Sequence, residues 1–142
     1  MRTNESEITA SWERRIEACR DKDIDRLMAC YSPAIVYYDV IPPLRFAGFE
    51  EVRGNFLRWF GEYDGPIGLE TRDATAAVSG DVAFAHMLHL DSGKRTNGLD
   101  LAIWVRSTVC FRRLADRWLI THEHVSLPIN PENLQAWFGP EE

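Results

Sequence analysis

The chain has no apolar run approaching the roughly 18 residues needed to cross a bilayer. Its start, Met1-Arg-Thr-Asn-Glu-Ser-Glu, lacks the apolar core of a signal peptide. Positive charge is in deficit: 16 Lys plus Arg stand against 22 Asp plus Glu, a net charge of -6. That sign repels phosphate backbones, and the basic residues are scattered without a stripe, so nucleic acid is not expected as a partner. Cysteine is scarce. Cys19, Cys30 and Cys110 form an odd set with no CxxC pair, and read as small buried residues in a reducing compartment. No Gly-rich phosphate loop, nucleophile elbow or dinucleotide fingerprint is present, nor any internal repeat, linker or low-complexity tract. The expectation left standing is a soluble, cytoplasmic protein without membrane partner or cofactor. Its 142 residues, 45% hydrophobic and 27% charged, suit one globular domain over residues 1–142.

The patterning predicts helices first and strands afterwards. Asn4 is expected to cap a first helix with Glu7 in the capping-box position, and Ile8, Trp12, Ile16 and Cys19 recur at helical spacing. Asp23 is placed as the cap of a short second helix carrying Ile24, Leu27, Met28 and Tyr31, which Pro33 stops. Residues 34–39, rich in β-branched and aromatic side chains, read as a strand. A Pro42-Pro43 loop follows, and then a third helix on Phe49, Val52, Phe56, Trp59, Phe60 and Tyr63, ended by Gly65-Pro66. Segments 67–79, 81–91, 99–113 and 117–127 read as four strands of an antiparallel meander. Asn130-Pro131-Glu132 predicts a last helix leading into Leu134, Trp137 and Phe138. The fold class is therefore α+β, with N-terminal helices packed in a strongly curved antiparallel sheet. Such a cone has a natural small-molecule pocket at its mouth.

Strand alternation groups the candidate site residues. Tyr37 shares a face with Asp39; Phe84 with His86, Leu88 and Leu90; Asp100 with Trp104, Arg106 and Thr108; and Thr121 with Glu123. Turned inward, these faces make an apolar pocket whose polar groups are Asp39, His86, Arg106 and Glu123. Each has a plainer reading as well. Asp39 before a loop suits a bond to turn backbone, and His86 suits a satisfied core or interface histidine. Arg106 and Glu123 suit a cross-strand ion pair on a wet surface. Trp12, Phe56, Trp59 and Phe60 read as core or pocket lining. His122-Glu-His124 projects two imidazoles from one face as a chelate would, yet no third ligand is at hand. His86 and His89 lie on opposite strand faces, roughly 10 Å away by strand spacing. No metal is expected, and the pair is read as packed on the outer face or at an interface. The opposite faces carry Ile103, Val105, Val109 and Phe111, with Ala83, Ala85, Met87 and His89, and with Trp118, Ile120, His122 and His124. With no helix left to cover them, they predict a homodimer through the outer face of the sheet.

Two motifs bring a resemblance. Asp23-Ile-Asp25-Arg-Leu27, Tyr31 and Val36-Tyr-Tyr-Asp39 are similar to the second helix and first strand of the nuclear transport factor 2-like superfamily. Trp118-Leu-Ile-Thr-His122-Glu-His124-Val-Ser126-Leu-Pro128 resembles the final strand of its SnoaL-like and association-domain members. The superfamily includes ketosteroid isomerase, polyketide cyclases, scytalone dehydratase and a kinase association domain. The resemblance implies that Asp39 lies where the isomerase has its general base and Phe56 near its supporting tyrosine, without the hydroxyl. It sets Arg15 where the isomerase's oxyanion tyrosine falls, and Thr108 near its neutral oxyanion acid. It also aligns Glu123 with the cyclases' acid/base aspartate and Thr121 with the histidine before it. The combined expectation is a protein that binds a largely apolar, carbonyl- or hydroxyl-bearing small molecule. Chemistry, if it follows, is cofactor-free isomerisation, cyclisation or dehydration, with Asp39 as base assisted by His86 or Glu123. Tyr37, Phe56, Trp59, Trp104, Arg106, Thr108 and Thr121 are then expected around the ligand. The rival is a non-catalytic ligand-binding or oligomerisation module like the kinase association domain, favoured by the missing oxyanion donors.

Overall fold

The computed structural model describes residues 3–140. Helix α1 (Asn4–Arg20) and the short α2 (Ile24–Met28) lead into β1 (Tyr31–Tyr38), β2 (Phe46–Ala47) and α3 (Phe49–Gly61). Four long strands follow: β3 (Gly68–Ser79), β4 (Val82–Lys94), β5 (Asp100–Leu114) and β6 (Arg117–Ser126). They form one curved sheet in the order β2-β1-β6-β5-β4-β3. β3 to β6 are the antiparallel meander the turn residues predict; β1 joins its far side parallel to β6, pairing Tyr37 with Glu123. No described helix is long and apolar enough to cross a membrane.

The starts of α1 and α2 follow from side-chain acceptors, with one correction. Asp23 caps α2 by accepting the Arg26 N–H at 3.1 Å, as expected. Thr3, not Asn4, caps α1: its hydroxyl oxygen accepts the Ser6 N–H at 3.1 Å. Asn4 and Glu7 are drawn outward to the sheet instead. Asn4 Oδ1 accepts from Arg113 Nη2 at 2.9 Å, and Glu7 Oε2 from Trp118 Nε1 at 2.9 Å. The last helix expected from Asn130-Pro131-Glu132 does not form. Asn130 Oδ1 accepts from Glu132 N–H only two residues on, Leu134 turns to φ 59, and Ile129 bridges Ala136, so the segment is a tight turn.

The inward faces of β4 and β5 are the reverse of those expected. Ala83, Ala85, Met87 and His89 are buried in the cone, as are Val105, Val109 and Phe111. Phe84 is 48% exposed and Leu88 38%, and His86, Arg106 and Thr108 lie on the outer face. The reason is volume. The helices fill the cone with Trp12, Ile16, Phe56 and Phe60. Against those bulky residues β4 turns in the face that carries Ala83 and Ala85, and leaves Phe84 and Leu88 outside. Both faces of β4 are apolar, so hydrophobicity alone does not choose between them. In β6 a bulge does what alternation does not: Phe111 pairs with Ile120 but Cys110 with His122, leaving Thr121 extra. Trp118 and Ile120, expected outside, therefore point inward, and beyond the bulge Glu123 does too.

Candidate functional site

A cavity of about 260 Å³ opens between the sheet and α3. At its base lies a closed ionic triangle. Arg15, from α1, donates through Nη2 to Glu123 Oε2 at 2.9 Å and through Nε to the Tyr31 hydroxyl at 2.8 Å. Tyr31 in turn donates to Glu123 Oε1 at 2.6 Å. Arg15 is 5% exposed and Glu123 1%, so each charge is acceptable there only because the other is present. Burial pushes the phenols of Tyr31 and of neighbouring Tyr37 well up, which keeps both as hydrogen-bond donors.

Two further carboxyls face the cavity from opposite sides, in unlike surroundings. Asp39 follows β1 and is ringed by donors. The Val40 N–H reaches Oδ1 at 2.7 Å, Asn55 Nδ2 reaches Oδ2 at 2.8 Å, and Arg58 Nη2 lies 3.9 Å from Oδ2. Asn55 is held in turn, its Oδ1 accepting from Arg58 Nε at 3.1 Å. Asp91, near the end of β4, has no such help. Its Oδ1 is shut from solvent with no hydrogen-bond partner among the described residues. Burial, with Asp39 and Glu123 nearby and Arg15 opposing, raises its carboxyl from 3.8 to about 7. Two residues back, His89 stacks on Trp12 at 5.2 Å and shares a 3.1 Å hydrogen bond between Nδ1 and the Thr71 hydroxyl. Burial and Arg15 lower it to about 3, so the ring is neutral, and its buried Nε2 has no partner among the described residues. Tyr37, Phe56, Trp59, Leu69, Val105 and Val125 supply apolar wall, and Arg58, Glu62 and Arg95 an ionic rim.

Residues 8–130 match the SnoaL-like domain family. The chain belongs to the SnoaL-like family. No curated protein sequence matches it. An NTF2-like protein of unknown function from Pseudomonas putida KT2440 is 33% identical, with a TM-score of 0.88 over 97% of this chain and 96% of that one. This confirms membership of the NTF2-like superfamily. A ketosteroid isomerase-like protein from Erwinia carotovora atroseptica SCRI1043 is 20% identical, with a TM-score of 0.75 over 87% of this chain and 97% of that one. The CaMKII association domain of C. elegans is 17% identical, with a TM-score of 0.69 over 86% and 94%. At those identities the last two carry the fold alone.

In this SnoaL-like domain the residues expected at the site divide cleanly. Asp39, Glu123, Tyr37, Phe56 and Trp59 meet at the cavity. His86, Trp104, Arg106 and Thr108 stand on the outer face, out of reach of a ligand in the cone. Arg106 donates there to Ser126 Oγ at 3.1 Å, and is not paired with Glu123. Thr121, on the bulge, turns its hydroxyl to the Cys110 carbonyl at 3.3 Å. His122 and His124 pack edge-on to Tyr38 at 4.7 and 5.3 Å, and His122 Nδ1 donates to the Val36 carbonyl at 2.7 Å. Sequence reasoning missed His89, Asp91, Asn55 and the pairing of Arg15 with Glu123. The usable signal was that His89 and Asp91 share a strand face with Ala83, Ala85 and Met87.

Proposed function

We propose that this SnoaL-like domain catalyses cofactor-free proton transfer on a small, largely apolar carbonyl compound held in the cone. What supports the reading is the pair of carboxyls facing one cavity in opposite surroundings, Asp39 among donors and Asp91 deprived of them. The first suits a base and the second an acid that still holds its proton near neutral pH. Asp39 takes a proton from the carbon beside the carbonyl. The electron pair left behind shifts onto the carbonyl oxygen, which receives the Asp91 proton. Asp39 then returns its proton to another carbon of the conjugated system, and the enol O–H goes back to Asp91. The product is an isomer, and both carboxyls are restored. Glu123, buried and ion-paired with Arg15, serves in this reading as that arginine's counter-ion.

The test needs no known substrate. Exchange of the α-protons of 2-tetralone in D2O, followed by NMR, should run faster with the protein than in buffer. Asp39→Asn should slow it by about 100-fold or more while 2-tetralone still binds. Exchange no faster than buffer, across ring ketones that bind, would sink the catalytic reading. It would leave a ligand-binding module.

The outer face of the sheet favours a partner as well. Val82, Phe84 and Leu88 are 47%, 48% and 38% exposed there. A second copy related by a two-fold axis covers that face in this reading, giving a homodimer.

A further inference from the structure

Tyr31 and Tyr37 both belong to β1 and are almost closed from solvent, at 3% and 4% exposure, yet their hydroxyls fare differently. Tyr31 commits its proton to Glu123 at 2.6 Å. Tyr37 is held beside the same triangle, paired with Glu123 in the β1–β6 register and set edge-on to Phe56 at 5.4 Å. Its hydroxyl bonds to none of the described residues. Among the unexposed described residues, the side-chain polar atoms that are unpaired and also shut from solvent are Trp12 Nε1, His89 Nε2, Asp91 Oδ1 and Ser107 Oγ. Tyr37 Oη is not one of them. The hydroxyl is therefore unpaired and open, and the cavity that Tyr37 lines is the cone.

Solvent in the open cone satisfies this donor, and a ligand that fills the cone takes the solvent's place. A hydrocarbon wall laid against Tyr37 would strand a buried donor, whereas an acceptor oxygen there keeps the bond. The oxygen that fits is neutral. Burial and the nearby Glu123 and Asp39 carboxylates hold the phenol proton well above its usual range, with Arg15 opposing. Those carboxylates also disfavour a ligand anion, and Arg15 is already paired with Glu123. Asp91, where the proposed reaction places the carbonyl oxygen, is on β4. That strand lies three places from β1 in the sheet order, roughly 14 Å away by strand spacing. The two polar ends of the cavity therefore call for two oxygens. We infer that the substrate is a dioxygenated compound: besides the reacting carbonyl it carries a neutral acceptor oxygen, a hydroxyl or second carbonyl, bonded to the Tyr37 hydroxyl. The inference deepens the reading of the cone as the substrate site and rests on it, but not on the proton transfer.

The test compares binding by isothermal titration calorimetry. The probes are 2-tetralones carrying, at ring position 5, 6 or 7, either acetyl or isopropyl, which matches its shape without the oxygen. At one position at least, the acetyl ketone should bind about tenfold more tightly than its isopropyl partner. In Tyr37→Phe the members of that pair should bind alike. A carboxylate at the same position should bind the wild-type protein more weakly than acetyl. Should Tyr37→Phe fold poorly, wild-type protein labelled with ¹³Cζ-tyrosine replaces it: the Tyr37 signal should move with that acetyl ketone and far less with the isopropyl one. Equal affinity within all three pairs, an acetyl preference that survives in Tyr37→Phe, a Tyr37 signal that moves alike with both, or tighter binding of the carboxylate overturns the inference. If none of these ketones binds, the cone fails as the substrate site and the second oxygen goes with it. An acetyl preference without any catalysed exchange supports the second oxygen and counts only against the proton transfer.

Discussion

Asp91 and His89, two residues apart on β4, make stability depend on pH with opposite signs. Asp91 holds in the folded state a proton that the unfolded chain releases near 3.8, so its contribution is fullest below that value. Stability is lost as pH rises toward about 7, where the buried carboxyl ionises. His89 is the reverse. The unfolded chain takes up its proton near 6.5 and the folded ring only near 3, so stability is lost as pH falls through that window. Asp91→Asn should therefore raise the unfolding free energy at pH 8 by roughly 4 kcal/mol, with most of the gain gone near pH 4. His89→Gln should flatten the acid side of the same profile. Urea unfolding at several pH values separates the two; a gain from Asp91→Asn that does not change with pH would remove the proton from Asp91. Asp39 was legible in the sequence because it ends a strand before a proline loop, where a motif could be matched. Its plainer reading holds at the same time, since it does bond the turn backbone at Val40. Asp91 was not legible, because it stands where the apolar pattern of β4 stops and so reads as the first loop residue.

At the scale of elements the sequence spoke plainly about existence and less so about orientation. The four long strands lie within a few residues of where turn residues placed them, because Gly80, Gly98 and the Ala115-Asp116 pair each take φ above 0. Which face turned inward was hidden in β4 and β5, where both faces are apolar, and in β6, where one extra residue at Thr121 resets the alternation. The third helix stops at Gly61, so Tyr63 falls outside it and packs on the sheet instead. Gly93 makes that possible. Its φ is 151, and a Cβ there would stand 2.8 Å from Tyr63 Cδ1. Gly93→Ala should destabilise the fold by about 2 kcal/mol and push the Tyr63 ring from the rim of the cone. Thermal unfolding read beside the Tyr63 ring resonances checks both; an unshifted ring would mean that β4 yields instead.

For the whole molecule, the face reversal relocates the expected dimer contact without removing it. Val105 and Ile120, placed outside by simple alternation, are 3% and 0% exposed core residues, so an Asp at either would unfold the protein. The residues that stand free on the outer face are Val82, Phe84 and Leu88. Phe84→Asp with Leu88→Asp should leave the fold intact and halve the sedimenting mass. Wild-type protein that sediments as a monomer at micromolar concentration would exclude this interface.

The ionic triangle at the base of the cone also dictates an order of events during synthesis. Arg15 meets Glu123 across 108 positions of sequence, Asn4 meets Arg113 across 109, and Glu7 meets Trp118 across 111. As the chain leaves the ribosome, α1 emerges first and waits for nearly every other element before its buried arginine has a counter-ion. Until β6 arrives, closing the cone over Arg15 would bury a lone charge, which is strongly unfavourable. The nascent protein is therefore expected to keep its first helix undocked and its apolar stripe open to solvent until the last strand arrives. Chains halted before β6 should show unprotected α1 amides in hydrogen exchange, and protection there would overturn that order.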